Sequence, residues 1–312
     1  MQVIRGLQQL SSFKHKACVL TIGNFDGVHL GLQAVLSQLV DKARELNAPA
    51  VVMTFEPSPK EFFARDPAGS PARLTRMREK LLKIQQCGVD VVIVVHFDEQ
   101  FSQMTKEYFV NELLVKQLRV SAVMVGKDFK FAHRREGDFP YLQAMGERLG
   151  YEAMPVASSM LDGRRVSSTW VREALAKNNL FTAKKLLGTP FAMLGRVVHG
   201  EKLGRKLGFP TANIDLHRAK TPVHGIYAVI VKGLRDEFLY GAANVGERPT
   251  VGGTTTLLEV YILDFDEQIY GAEVNVEFIH KIRDEARYES LDELKAQIAK
   301  DVSAVREFFN NN

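Results

Sequence analysis

The chain has 312 residues, 46% of them hydrophobic and 25% charged, which is enough apolar material for globular domains and more length than one domain usually takes, so two are expected. A formal net charge of +4 suits small anions but falls short of a nucleic-acid footprint. Two cysteines give no basis for a disulfide framework or a thiolate metal site; no apolar run approaches the roughly eighteen residues of a membrane span, and the opening MQVIRGLQQLSSFKHK lacks a signal core, so a cytoplasmic protein is expected.

In chain order, short β-branched runs alternate with helical patterns as far as about residue 187. CVLTI precedes a helix beginning near His29, AVVMTF precedes one over Leu74 to Gln86, VDVVIVVHF precedes one over Lys106 to Leu118, and VSAVMVG follows. Near-continuous apolar strands separated by helices predict a parallel sheet covered on both faces, a doubly wound α/β domain over residues 1–187. Polar or glycine-bearing stretches come directly after those strands (GNFDG, EPSP, HFDEQ, GKDFKF), at the carboxyl ends where open α/β sheets bind ligands.

After a helical segment over Asn179 to Leu187 and the break Gly188-Thr-Pro190, the pattern changes. GRVVH, GIYAVIVKGL, FLYGAANVG, TTTLLEVYILDF and VNVEFIHKI are closely spaced strands joined by Gly- and Pro-containing connections, which predicts an antiparallel barrel or sandwich over residues 188–312. A last helix opens on the capping box Ser290-Leu-Asp-Glu293, and its stripe Leu291, Leu294, Ile298 and Val302 should pack on the barrel.

Within GNFDGVHLGL the glycines permit close approach of backbone to a ligand, and the helix start that follows offers N–H groups and positive dipole to a phosphate. The stretch is neither a Walker loop nor a GxGxxG fingerprint, so the residues alone fit an ordinary turn as well as a phosphate site. Phe129 and Phe131 could stack on a flavin, although alternating aromatics beside a strand end also suit packing. His96, His133, His199, His217, His224 and His280 show no metal-ligand spacing and are given no chemistry.

The motif after the first strand resembles the GxFDGxHxGH of HxGH nucleotidyltransferases. Arg165-Val-Ser-Ser-Thr-Trp-Val-Arg172 is similar to their RxSSTxxR element, and VGKDFKF with Gly137-Asp138 is similar to their VGxDFxFG...GD segment. GRVVHGEKLGRKLGFPTAN, GIYAV, ANVGERPTV, LEVYILDF and KIRDEARYESLDEL resemble the blocks of riboflavin kinases. Running in order over nearly the whole chain, these blocks resemble the bacterial bifunctional riboflavin kinase/FMN adenylyltransferases, or FAD synthetases.

The resemblance implies that the C-terminal domain phosphorylates riboflavin to FMN with ATP. The N-terminal domain then joins FMN to AMP from a second ATP, giving FAD and pyrophosphate, and each reaction uses Mg2+. In the kinase it assigns Thr211 and Asn213 to the metal, Gly200, Gly204 and Gly208 to a mobile basic flap with Lys202, Arg205 and Lys206, Arg283 to the flavin and nucleotide, and Glu259 to the base that accepts the proton of the riboflavin 5'-hydroxyl. Read on their own, Thr211 and Asn213 fit a capped turn after Pro210, the glycines a solvated basic loop, Arg283 a surface ion pair, and Glu259 a solvent-facing strand position.

In the adenylyltransferase it assigns Gly23, Asp26, His29, Gly31, Arg165, Ser168, Thr169 and Arg172 to the ATP phosphates, and Asp128 and Phe129 to the FMN side. The chain departs from the pattern at Leu32, where the second histidine of HxGH belongs. Val28, Leu32, Val35 and Leu39 recur at helical spacing, so packing accounts for a leucine, but a leucine donates no hydrogen bond. Adenylylation is therefore expected to be slowed but present. The alternatives are a riboflavin kinase with a degenerate N-terminal domain and a flavin-nucleotide binding or regulatory protein; the sequence is silent on oligomeric state.

Overall fold

A computed structural model describes residues 1–64, 69–200, 203–218, 220–250 and 253–311. The chain divides into two compact units, Met1–Pro71 with Thr75–Ser167 and Ala72–Leu74 with Ser168–Asn312.

The first unit holds the expected parallel sheet. β1 (Gln2–Arg5), β2 (Cys18–Ile22), β3 (Ala50–Glu56), β4 (Val91–His96), β5 (Val120–Val125) and β6 (Glu152–Pro155) pair in the order β1-β4-β3-β2-β5-β6, every pair parallel. Alternation within the apolar runs decides which core each side chain joins. Leu20, Met53, Ile93 and Val123 face one cluster, and their neighbours Val19, Val52, Val92 and Ala122 face the other. Helices α1 (Leu30–Glu45) and α2 (Met77–Gln86) contribute Leu36, Leu39 and Ile84 to the second cluster; α3 (Phe109–Gln117) and α4 (Phe139–Leu149) contribute Leu113, Leu114 and Leu142 to the first.

Several boundaries differ from the sequence pattern. The second helix starts at Met77 rather than Leu74, with Thr75 hydrogen-bonded to the Asp26 carboxylate and Arg76 as the N-cap, and the segment after Tyr108 winds as a π-type helix. The edge strands β1 and β6 are short, and so lacked a pattern of their own.

Because the chain moves outward from β2 to β3 and β4, and then returns to lay β5 against the other side of β2, the sheet has its topological switch between β2 and β5. A crevice opens at the carboxyl ends of such a pair. Gly23 follows one strand and Gly126 the other.

In the second unit, α5 (Ser168–Ala176) and α6 (Leu180–Leu187) precede a closed antiparallel barrel. Its strands are β7 (Ala192–Val198), β8 (Ala212–Asp215), β9 (Gly225–Lys232), β10 (Leu239–Thr250), β11 (Gly253–Ile262) and β12 (Glu273–Arg283), in the order β7-β8-β11-β10-β9-β12 and closed by β12 on β7. Tyr227, Val229, Ala243, Val245, Leu258, Val260, Val276 and Phe278 are almost wholly buried and fill it.

The intervening residues of β10 and β11 face outward. Ala242 and Tyr261 meet α7 (Leu291–Asn310), which packs through Ile298, Val302, Val305, Phe308 and Phe309. The predicted stripe is corrected at its start: Leu291 is 58% exposed, so the first turn of α7 overhangs the barrel instead of packing on it. The Ser290 hydroxyl caps the Glu293 N–H as expected, while the Glu293 carboxylate takes the N–H of Glu289.

Candidate functional sites

The loop after β2 is held by its own polar atoms. The Gly23 N–H donates to the Met53 carbonyl, the Thr54 hydroxyl to the Asn24 carbonyl, and the Gln33 amide to the Val28 carbonyl. The Asp26 carboxylate accepts from the Thr75 N–H at 2.9 Å and hydroxyl at 3.2 Å, and that same hydroxyl accepts from the Gly27 N–H. Asp26 thus fastens the loop, and Thr75 is a partner that sequence reasoning missed. Phe25 and Val28 keep φ angles of 49° and 42°, costly for residues with a Cβ, and both are buried in the core beneath the loop.

His29 is itself the N-cap of α1. Its Nδ1 accepts from the Leu32 N–H at 3.3 Å, so one N–H at the helix start is already used. An accepting Nδ1 leaves the ring hydrogen on Nε2, as a donor. The imidazole is buried, and Gly31 lies so close that an added Cβ would stand 3.2 Å from the ring and 3.2 Å from the Val166 carbonyl. Leu32 is half-buried and packs with the cluster of Phe25, Val28, Leu36 and Leu39. The buried stripe runs through Leu36, whereas Val35 is only half-buried, and Val28 lies ahead of the helix.

Two candidates that the sequence assigned to different ligands are paired. Arg165 Nη1 lies 2.9 Å from Asp128 Oδ2, and this guanidinium holds the Asp128 carboxyl below the usual carboxylate range. Phe129 is half-buried and stacked on Phe131 at 5.6 Å, and Phe131 belongs to the core with Phe109 and Tyr141 around it. Ser168, Thr169 and Arg172 lie on α5, in the second unit, where Arg172 Nε donates to the Ala72 carbonyl at 2.7 Å.

The second unit contains a cavity of about 680 Å³ between the outer wall of the barrel, the residues 284–290 and α7. Register explains its polar wall. Asn213 on β8 pairs with Glu259 on β11, Glu259 pairs with Asn244 on β10, Asn244 with Ile226 on β9, and Ile226 with Arg283 on β12. Residues directly opposite on neighbouring strands share a face, so five positions distant in sequence form one row, and all five line the cavity with Thr211. Phe209, Tyr261, Leu294 and Ile298 supply apolar surface.

Glycines admit the backbone at the end of this row. An added Cβ on Gly200 would stand 2.3 Å from the Asn213 side chain, and one on Gly204 would stand 2.4 Å from the Phe209 carbonyl and 3.2 Å from the Thr211 hydroxyl. Within the stretch read as a basic flap, Leu203–Leu207 forms a short helix containing Gly204, Arg205 and Lys206, and Gly208 after it takes φ at +89°. Lys202 lies outside the described residues. Close packing favours glycine here over a better helix former. Gly204→Ala is expected to destabilise this unit by about 1–3 kcal/mol through overpacking, seen as an earlier midpoint in denaturant unfolding.

Arg283, itself half-buried, closes the row by pairing with a buried carboxylate. Its Nε and Nη2 reach the two oxygens of Asp301 on α7 at 2.8 and 2.6 Å, and Gln297 donates to Asp301 at 2.9 Å. Asp301 is buried, and its hydrogen bonds push the Arg283 guanidinium still higher in pKa. The sequence held no sign of this role beyond an acid beside Val302 in an apolar stripe. Removing Asp301 takes two charge-assisted hydrogen bonds from a half-buried guanidinium, so Asp301→Ala is expected to cost about 1–3 kcal/mol in denaturant unfolding. Asp301→Asn should recover part of that.

Among the described residues no group of three or more His, Cys, Asp or Glu could cage a metal ion. No helix there is long and apolar enough to cross a membrane.

Comparison with known proteins covers both units. Residues 11–170 match the family described as FAD synthetase, and residues 187–309 match the one described as riboflavin kinase. The bifunctional riboflavin kinase/FMN adenylyltransferase of Escherichia coli strain K12 is 52% identical over 309 residues, 99% of this chain and 98% of that one. Its counterpart in Haemophilus influenzae is 49% identical over 311 residues, with all of both chains covered. Among solved structures, that of a macrolide-efflux protein from Streptococcus pneumoniae superposes with a TM-score of 0.81 at 30% identity, covering 98% of this chain and 99% of that one.

Proposed function

The chain belongs to the bifunctional riboflavin kinase/FMN adenylyltransferases, making FMN from riboflavin and ATP and then FAD from FMN and ATP, and from that premise we propose how its residues divide the work. Residues 188–312 carry the kinase and residues 1–187 the adenylyltransferase.

The row Asn213–Glu259–Asn244 along one wall of the cavity carries the kinase reading. Phosphoryl transfer needs an acceptor hydroxyl held in line with the γ-phosphate and relieved of its proton. Glu259, half-buried in the middle of the row, is the group that takes the proton. Thr211 and Asn213 offer a hydroxyl and an amide oxygen beside it, hard donors of the kind Mg2+ takes alongside nucleotide phosphates, and these two residues would hold that ion. When bound, Mg2+ neutralises charge on the phosphates of ATP. Gly200, Gly204 and Gly208 let the backbone approach those phosphates, and the apolar surface of Phe209, Tyr261, Leu294 and Ile298 suits the flat ring system of riboflavin, with Arg283 at its edge.

For adenylyl transfer the task is to hold two polyanions and stabilise charge on the α-phosphate. His29 donates from Nε2, while Gly23 and Gly31 keep the backbone close; Arg165, Ser168, Thr169 and Arg172 supply further donors for ATP. Asp26 acts by fixing the loop. Asp128 and Phe129 serve the FMN side, where opening of the Arg165–Asp128 pair frees the guanidinium for phosphate.

A product-resolved assay starting from riboflavin, ATP and Mg2+ tests the division. FMN followed by FAD is expected. FMN without FAD would confine the chain to the kinase, and neither product would overturn the reading.

A further inference from the structure

The third member of the polar row is unaccounted for. The side-chain oxygen of Asn244, a residue of the cavity wall, is buried and has no hydrogen-bond partner among the described residues. A buried acceptor left unsatisfied is destabilising, and an alanine or valine at this strand position would avoid that cost. Because Asn244 lines the cavity beside a proposed catalytic carboxylate, a small rotation of its amide presents the screened oxygen to a donor on the substrate and satisfies it.

Direction along the row identifies that donor. Asn213 lies on one side of Glu259, with Thr211 and the glycines proposed for the phosphates; Asn244 lies on the other side, followed by Ile226. A substrate whose terminal hydroxyl meets Glu259 must extend away from the phosphates, past Asn244. Neighbouring strands are roughly 4.8 Å apart, which along a sugar-alcohol chain reaches the hydroxyl about two or three carbons from the terminal one.

We propose that Asn244 is a positioning residue of the kinase, its side-chain oxygen accepting a hydrogen bond from the 3'- or 2'-hydroxyl of the riboflavin ribityl chain and so setting the 5'-hydroxyl against Glu259. This rests on the assignment of the cavity to riboflavin and of Glu259 to proton removal. It makes Asn244 a determinant of specificity for a polyhydroxylated side chain, since an alkyl chain of equal length would leave the oxygen unpaired.

The test combines the full-length enzyme, its Asn244→Ala variant, and riboflavin analogues lacking the 2'- or the 3'-hydroxyl. With wild type, one of the two analogues should lose about tenfold or more in kcat/KM for 5'-phosphorylation. Asn244→Ala should lose a similar factor with riboflavin, no more with that analogue, and nothing in KM for ATP. Equal use of riboflavin and both analogues by wild type would overturn the proposal without any variant. So would full discrimination retained by Asn244→Ala. A parallel Glu259→Gln enzyme separates the two levels: if it has lost FMN formation while Asn244→Ala behaves as wild type, only the role of Asn244 fails. If Glu259→Gln still makes FMN, the assignment of the cavity fails with it.

Discussion

Glu259→Gln should lower FMN formation from riboflavin by about 10²–10⁴-fold, the range over which general acid–base catalysis contributes. The carboxylate is flanked in register by Asn213 and Asn244 and sits on the outer face of β11, opposite in direction to the buried Leu258 and Val260. Glutamine keeps the length and the strand, so the barrel core is untouched and denaturant unfolding should move little. Because the change removes a proton acceptor rather than a phosphate ligand, KM for ATP should stay nearly constant while kcat falls. FAD formation from supplied FMN, a reaction of the other unit, should be unchanged. FMN formation at the wild-type rate would remove Glu259 from the mechanism.

Much of the fold was legible because its strands are of extreme kinds. VVIVV is apolar without a break and CVLTI nearly so, as a sheet buried on both faces explains, and TTTLLEVYI alternates, as a barrel wall requires. What escaped was settled by partners far along the chain. β8 is four residues with polar members, stable as a strand because β7 and β11 lie on either side. Thr75 reads as part of the helix predicted from Leu74 until the Asp26 carboxylate is found on it, and Asp301 as an exposed helix acid until Arg283 is. Asn244 was one letter of a strand, and only the register with Glu259 makes it part of a site. Leu291 failed in the opposite way: its spacing was right for a stripe, but α7 meets the barrel only from about Ile298 onward, leaving space beneath the first turn for the cavity.

The adenylyltransferase carries the second large effect, centred on His29. With Leu32 packed on the core cluster, the loop after β2 offers one imidazole where the family pattern has two, and its Nδ1 is taken up by the Leu32 N–H, which leaves Nε2 as the donor nitrogen. Losing a donor aimed at transition-state charge lowers a rate by about 10²–10³-fold. His29→Ala would mix that loss with the loss of an N-cap, worth about 1 kcal/mol, so the informative change is His29→Asn, because asparagine caps helices well. His29→Asn is expected to unfold at the wild-type denaturant midpoint yet release pyrophosphate from FMN and ATP about 10²–10³-fold more slowly. The opposite change, Leu32→His, should raise pyrophosphate release above wild type while lowering the unfolding midpoint, since it sets a polar ring beside Phe25 and Leu36. A wild-type rate in His29→Asn would mean that the cap, not the donor, is what His29 provides. An unchanged rate in Leu32→His would mean that the leucine costs this enzyme nothing and that a second imidazole is not needed for charge stabilisation.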